Sequence, residues 1–328
     1  MAFANPSYSD IITSTIQSRS GKIADNVKKS AAVLAKLNER GNVKPFGGGN
    51  VILQELSFAE NGNAGWYSGY DMLPIAAQDV LSAAEFLIKQ LACPVIISGL
   101  EGLQNSGPEA TLDLLEARIG VAEATMSNRL SAGVYSDGTG SGGRELTGLN
   151  AAVPVSPTTG TYGGIDRGVF PFWRSTVTDV LTFTAVTTPG PVQAALNSAW
   201  AGLVLGAERP DLIAMDTAMW TNNLRELQAV QRFTDPKMAS FGFPTIKFMD
   251  ADIVLDGGIG GFCPAKTAFM LNTKYIYLRP HSKRDMVPLS PSKRYAVNQD
   301  AEVQTLAWAG NLTSSGSRYQ GRIIDTRP

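Results

Sequence analysis

Leu112, Leu115, Ile119, Ala122, Met126, Leu130 and Val134 recur every three or four positions behind Ser106-Gly-Pro-Glu109, a capping box with proline in the first turn. This spacing predicts a helix over 107–135, a rod of about 40 Å at 1.5 Å per residue. That is long for a globular helix. It stops at Ser136-Asp-Gly-Thr-Gly-Ser-Gly-Gly143, a flexible stretch and the best internal boundary in the chain. With 328 residues there is room for one large or two medium domains.

Around that rod the pattern changes. Residues 9–40 have helical spacing through Ile12, Ile16, Ile23, Val27, Ala31, Leu34 and Leu37, with Gly21 as a break and Gly41 as a stop. Residues 51–73 read as a hairpin: Val51 to Phe58 outward, a turn at Asn61-Gly62, and Trp66 to Tyr70 returning. Ile52, Leu56 and Phe58 take one face of this ribbon and Val51 and Leu53 the other, so both faces are apolar. A lone two-stranded ribbon is marginal in water, and this one must lie against its own core or another subunit. Beyond 143, strand and turn material precedes helical patches near 191–205 and 217–231, and short strands return at 246–249, 275–278, 303–308 and 322–325. Helices and strands segregate, which predicts an α+β fold.

Charge is blocked along the chain although 28 basic residues nearly balance 29 acidic ones. Residues 1–44 hold seven bases (Arg19, Lys22, Lys28, Lys29, Lys36, Arg40 and Lys44) against three acids. Residues 50–137 hold eleven acids, Glu109, Asp113 and Glu116 among them, against three bases. Residues 274–294 hold six bases, including Lys283 and Arg284, against Asp285 alone. Such blocks can pair within one molecule or set register between copies. Near-zero net charge argues against a dedicated nucleic-acid binder, and a charged fraction of 17% suggests surface covered by other chains. Trp66, Tyr67 and Tyr70 have no interleaved Lys or Arg, which favours protein anchors over base-stacking platforms.

Catalytic and cofactor readings fail on context. One His and two distant Cys exclude a disulfide framework and a multi-histidine or four-thiolate metal centre. His281 lacks a nucleophile elbow. Neither Gly47-Gly-Gly-Asn50 nor the 138–143 glycines sit between a strand and a Lys-Ser/Thr helix start, so they read as hinges. Asp250, Asp252 and Asp256 lack the Gly and distal Glu of a calcium loop. The N-terminus has no signal-peptide pattern, and the apolar stretch 80–100 is interrupted by Glu85, Lys89 and Pro94. The expectation is a non-enzymatic protein with no cofactor and no membrane segment.

The order of parts, together with Gly41-Asn-Val-Lys-Pro-Phe46, Tyr67-Ser-Gly-Tyr70, Ser98-Gly-Leu-Glu-Gly-Leu-Gln-Asn-Ser106, Asp113-Leu-Leu-Glu-Ala117, Tyr162-Gly-Gly-Ile-Asp-Arg167 and Trp308-Ala-Gly-Asn-Leu312, resembles the major capsid proteins of tailed bacteriophages with the Hong Kong 97-like fold. The resemblance implies an N-terminal arm (1–44), an extended loop (45–80), a peripheral domain (81–138 and 272–328) with spine helix 107–135, and an axial domain (139–271). It further implies self-assembly through hexamers and pentamers into an icosahedral virion shell around double-stranded DNA held without sequence specificity, made in the bacterial host cytoplasm. The implied partners are a separate scaffolding protein, a portal, and a cement or decoration protein. Some relatives weld subunits through a Lys in the extended loop; residues 45–88 contain none, so no such crosslink is expected. The intersubunit candidates are Arg19, Lys22, Lys28, Lys29, Lys36, Arg40, Phe58, Asn61, Gly62, Trp66, Tyr67, Tyr70, Glu109, Asp113, Glu116, Lys283 and Arg284. An encapsulin-type shell around cargo enzymes and an oligomeric metabolic enzyme are the competing readings.

Overall fold

A computed structural model describes residues 32–104, 114–187, 190–227, 245–258, 261–289, 294–295 and 300–328. Its centre is a six-stranded mixed sheet in the order 176–179, 321–324, 267–271, 212–215, 251–255, 245–248. Leu212–Met215 and Thr267–Leu271 are buried along their whole length. Leu212, Ala214, Phe269 and Leu271 face one core, while Ile213, Met215, Ala268 and Met270 face a second core under helix Pro191–Leu203 and helix Thr217–Leu227. A strand covered on both faces reads as an unbroken apolar run instead of an alternation. Strand Gly321–Ile324 inserts between 176–179 and 267–271, so this sheet draws on both sides of residue 272.

A second sheet is built on the long strand Ala301–Ser314. Lys89–Ser98 pairs along one edge, and Ile276–Pro280, Val287–Pro288 and Arg294–Tyr295 follow one another along the other. The long helix is described over Leu114–Val134, and its start, with the expected capping box, lies outside the described residues. Ala122, Met126, Leu130 and Val134 are buried four residues apart and share a core with Val95, Leu306 and Trp308. A reciprocal capping box does exist one element earlier: the Ser98 N–H donates to Glu101 Oε2 at 3.1 Å and the Glu101 N–H to Ser98 Oγ at 3.2 Å.

The ribbon differs from the sequence expectation. Val51–Ser57 pairs antiparallel with Leu81–Leu87, from Val51 opposite Leu87 to Ser57 opposite Leu81. Trp66 to Tyr70 is no return strand. Asn61-Gly62 makes a turn inside the intervening loop, with the Ala64 N–H on the Asn61 carbonyl at 3.2 Å. Register explains the choice of partner: Ile52 and Leu56 share a buried face with Ala84 and Phe86, a match that the uniformly exposed 66–70 segment cannot offer.

Helix Ala32–Glu39 is all that is described of the expected 9–40 helix. It ends at Gly41 (φ 68°), and residues 42–46 then run parallel to Ile276–Pro280, with the Lys44 N–H on the Leu278 carbonyl and the Phe46 N–H on the Pro280 carbonyl. Buried Asn42 donates to the carbonyls of Thr273 and Ile276 at 2.5 and 3.1 Å. The Gly41 to Phe46 signature is thus a lacing strand.

Helix Ala32–Glu39, the long helix and the central sheet meet at Asp256, which is 2% exposed. Its carboxylate accepts from Tyr135 Oη at 2.5 Å, from the Phe262 N–H at 3.4 Å and from the Ala32 N–H. Burial raises its pKa, and those bonds only partly oppose it. The folded state therefore holds the proton more tightly than the unfolded chain. The stability this group contributes is present below the ordinary carboxylate range and is lost as pH rises through the raised value. Melting temperatures measured across that window should show Asp256→Asn falling less steeply with pH than the parent. Parallel curves would contradict the assignment.

Candidate intersubunit surfaces

The ribbon's inner face is seated on the hairpin Thr161–Asp166. Gly163 (φ 58°) leaves no room for a Cβ, which would lie 2.9 Å from Ala84 Cβ and 3.0 Å from the Phe86 ring. The Gly163 carbonyl accepts from the Glu85 N–H at 2.9 Å. Tyr162 meets Phe86 edge-on at 5.2 Å and stacks on Trp173 at 5.9 Å, and Trp173 Nε1 donates to the Tyr162 carbonyl at 2.9 Å. Arg167, 3% exposed, donates to the carbonyls of Ala151 and Ala152 at 2.6 and 2.9 Å. The Tyr162 to Arg167 signature is therefore the ribbon's seat, held by a guanidinium that caps a helical turn.

The other face and the loop beyond it are uncovered. Leu53, Leu81 and Leu87 are exposed, and in loop 58–80 so are Trp66, Tyr67, Tyr70, Met72, Leu73 and Ile75. Among the described residues, local bonds organise the loop: the Asn63 N–H on Asn61 Oδ1, Asn63 Nδ2 on the Ala76 carbonyl, and Ser68 with Asp71. Gly62 is exposed beside Gln78. Phe58 turns inward, 5.5 Å from the Phe172 ring. An exposed apolar cluster of this size marks an interaction surface.

A groove runs between the long helix and strand Lys89–Ser98 as two contiguous cavities of about 560 and 380 Å³ that share Cys93 and Thr125. Its middle is apolar, with Ile96 and Val121 exposed on its rim. At one end Lys89, Arg129 and Arg144 stand against Glu145 alone. At the other, Arg118 bridges Glu101 at 2.7 Å, and that guanidinium, with the Ser98 N–H, holds the Glu101 pKa below the usual carboxylate range.

The basic candidates divide. Lys36 and Arg40 are engaged within the chain: Lys36 pairs with Asp252 and Glu39, each at 3.2 Å, and Arg40 with Asp211 at 3.0 Å. Burial opposes the Lys36 charge, but the two carboxylates outweigh it and raise its pKa. Arg284 reaches Gln90 Oε1 at 3.2 Å, and Lys283 is exposed. Arg19, Lys22, Lys28, Lys29, Glu109 and Asp113 lie outside the described residues, as does the side chain of Glu116.

The residues weighed for chemistry have structural partners. His281 sits edge-on to Phe46 at 5.0 Å, and its Nδ1 accepts from the Lys283 N–H at 3.1 Å. Asp250 pairs with Arg209, Asp252 with Lys36 and Asp256 with Tyr135, so the three aspartates do not converge. Among the described residues no cluster of His, Cys, Asp or Glu is placed to hold a metal ion, and no helix is long and apolar enough to cross a membrane.

No protein-family model matches the sequence, and no curated protein is significantly similar to it. Solved structures do match. A chain of the cyanophage A-1(L) capsid asymmetric unit superposes with a TM-score of 0.65 at 17% identity, covering 93% of this chain and 95% of that one. A chain of Microbacterium phage Oxtober96 gives 0.58 at 9% identity, covering 93% and 94%. A chain of the capsid of a native GTA particle gives 0.54 at 12% identity, covering 93% and 95%. At these identities the likeness is one of fold, and it spans nearly the whole length of each chain.

Proposed function

We propose that this chain, which has the Hong Kong 97-like fold, is the major capsid protein of a tailed bacteriophage and acts by covering its own exposed surfaces with copies of itself. The observation that carries the reading is loop 58–80, with six large apolar side chains open to solvent at the end of a ribbon whose other face is already buried. An enzyme has no use for such a loop away from any constellation of reactive groups; a shell subunit does.

The loop's charge selects its receptor. It holds Glu60, Asp71 and Asp79 and no base, which suits the groove with its apolar middle and its Lys89, Arg129 and Arg144 end. Residues 1–31, with four bases against two acids, suit it less. Rim charges of this kind set register and encounter rate, while the aromatic anchors supply affinity. In this reading 1–44 is the arm, 45–80 the extended loop, 81–138 and 272–328 the peripheral domain, and 139–271 the axial domain, whose sheet is completed by 321–324. The assembled particle is the virion shell, built in the host cytoplasm with a separate scaffolding protein, a portal and a cement or decoration protein, and filled with DNA bound without sequence specificity.

Electron microscopy of the chain expressed alone and with a scaffolding protein should show hexamers, pentamers or closed shells. Co-purified nucleic acid rather than a cargo enzyme would separate a virion shell from an encapsulin. A monodisperse monomer or dimer under every condition would overturn the proposal. With no Lys in 45–88, denatured particles should run at 34.9 kDa; a covalent ladder would refute the non-covalent contacts assumed here.

A further inference from the structure

The Trp308 to Leu312 signature is explained neither by catalysis nor by any exposed surface. Gly310 is required by close approach: a Cβ there would lie 2.4 Å from the Arg279 carbonyl and 2.8 Å from the Trp308 ring. Asn311 is fully buried. Its Nδ2 donates to the Leu87 carbonyl at 2.8 Å and to Thr147 Oγ1 at 3.2 Å, while its Oδ1 accepts from the Thr147 and Leu312 N–H groups, each at 2.9 Å. Every donor and both acceptor sites of the amide are used, which no apolar residue and no ionised carboxylate can reproduce.

The place matters as much as the count. Leu87 is the last residue of the ribbon, and the next strand begins at Lys89, paired with Gly310. The ribbon's other leg leaves the body through Gly48 and Gly49, both at positive φ (146° and 121°), a backbone that other residues resist. The 51–57 leg meets the long strand where Thr313 Oγ1 donates to Gln54 Oε1 at 3.3 Å; the 81–87 leg, besides its seat on Gly163, is fastened at its exit by Asn311 to Thr147, in the segment between the long helix and helix Leu149–Ala152. We infer that Asn311 is a positioning residue that, together with the 161–166 seat, fixes the angle of the 51–57/81–87 ribbon against the body. The consequence for shell geometry rests on the function proposed above; the positioning role does not.

Amide hydrogen exchange of the full chain tests the two separately. Asn311→Asp keeps the shape but leaves the Leu87 carbonyl without its donor, and it should speed exchange in 81–87 and 51–57 about ten-fold or more, with 212–215 and 267–271 unchanged. A protonated carboxyl donates again, so protection relative to the parent should return on acidification. Unchanged ribbon exchange, or equal acceleration in all strands, would overturn the inference. If Asn311→Asp does not fold, Thr147→Val removes only the Oγ1 acceptor and should loosen 81–87 by a smaller factor; no change there would overturn it equally. Normal shells from a chain with a demonstrably loosened ribbon would overturn the consequence for shell geometry and leave the positioning role standing.

Discussion

A chain carrying Trp66→Asp, Tyr70→Asp and Ile75→Asp together is expected to fold as the parent does and to form no closed particles. The two halves of this expectation have separate grounds. In the single chain all three side chains are fully exposed, and surface substitutions away from caps and partners change stability by about 0.5 kcal/mol or less. In a contact, each of these groups is a large apolar anchor whose burial contributes about 1.5–3 kcal/mol, and a carboxylate there would have to be desolvated without a partner. A particle repeats that loss at every copy. Thermal unfolding and sedimentation velocity on the same sample decide the matter: an unchanged melting temperature with loss of all large species is the expected pair. Closed particles at normal yield would show that the loop is not the contact, and a collapsed melting temperature would show that it is part of the fold.

The second large effect lies beneath the ribbon. Trp173→Ala should lower the unfolding free energy by about 3–5 kcal/mol, the usual range for deleting a fully buried tryptophan. Trp173 is 1% exposed, stacks on Tyr162 and donates to the carbonyl of that same residue. Removing it leaves a cavity and takes a donor from the carbonyl of the residue that meets Phe86. Urea unfolding should show a lower midpoint with an unchanged slope. A loss below about 1 kcal/mol would mean that the seat collapses around the gap instead of depending on the indole.

Some of this was legible before any coordinates. The long helix declared itself because its buried residues, Ala122, Met126, Leu130 and Val134, keep one period beside a mixed polar face. The six-stranded sheet did not. Leu212–Met215 and Thr267–Leu271 are apolar on both faces, and a short run without alternation has no period to read. The ribbon was half legible. Asn61-Gly62 is a sound turn signal that serves a turn within the loop, and the true partner strand begins nineteen residues later, beyond the reach of any local rule. Charge counting could not separate Lys36 and Arg40 from freely solvated bases, because their partners, Asp252 and Asp211, lie far away in sequence. Asn311 and Gly163 lie within signatures quoted for the resemblance, but nothing in those short stretches tells what either residue touches. Their importance comes from what the fold brings within 3 Å of them.

The position of Gly321–Ile324 sets an order on synthesis. Among the described residues Thr176–Asp179 has a single neighbour in its sheet, Gly321–Ile324. A nascent chain that has already emerged past the long helix, the ribbon and both helices of the second core still holds an unpaired strand and an open slot beside Thr267–Leu271. Parallel pairing across so long a separation comes late in folding. Strand Lys89–Ser98 also waits, for its partner at 301–310, so a partly made chain presents unpaired strand edges without a finished body. Closure of the central sheet thus waits on residues 321–324, and a chain interrupted before them carries two unfilled strand edges instead of one finished sheet.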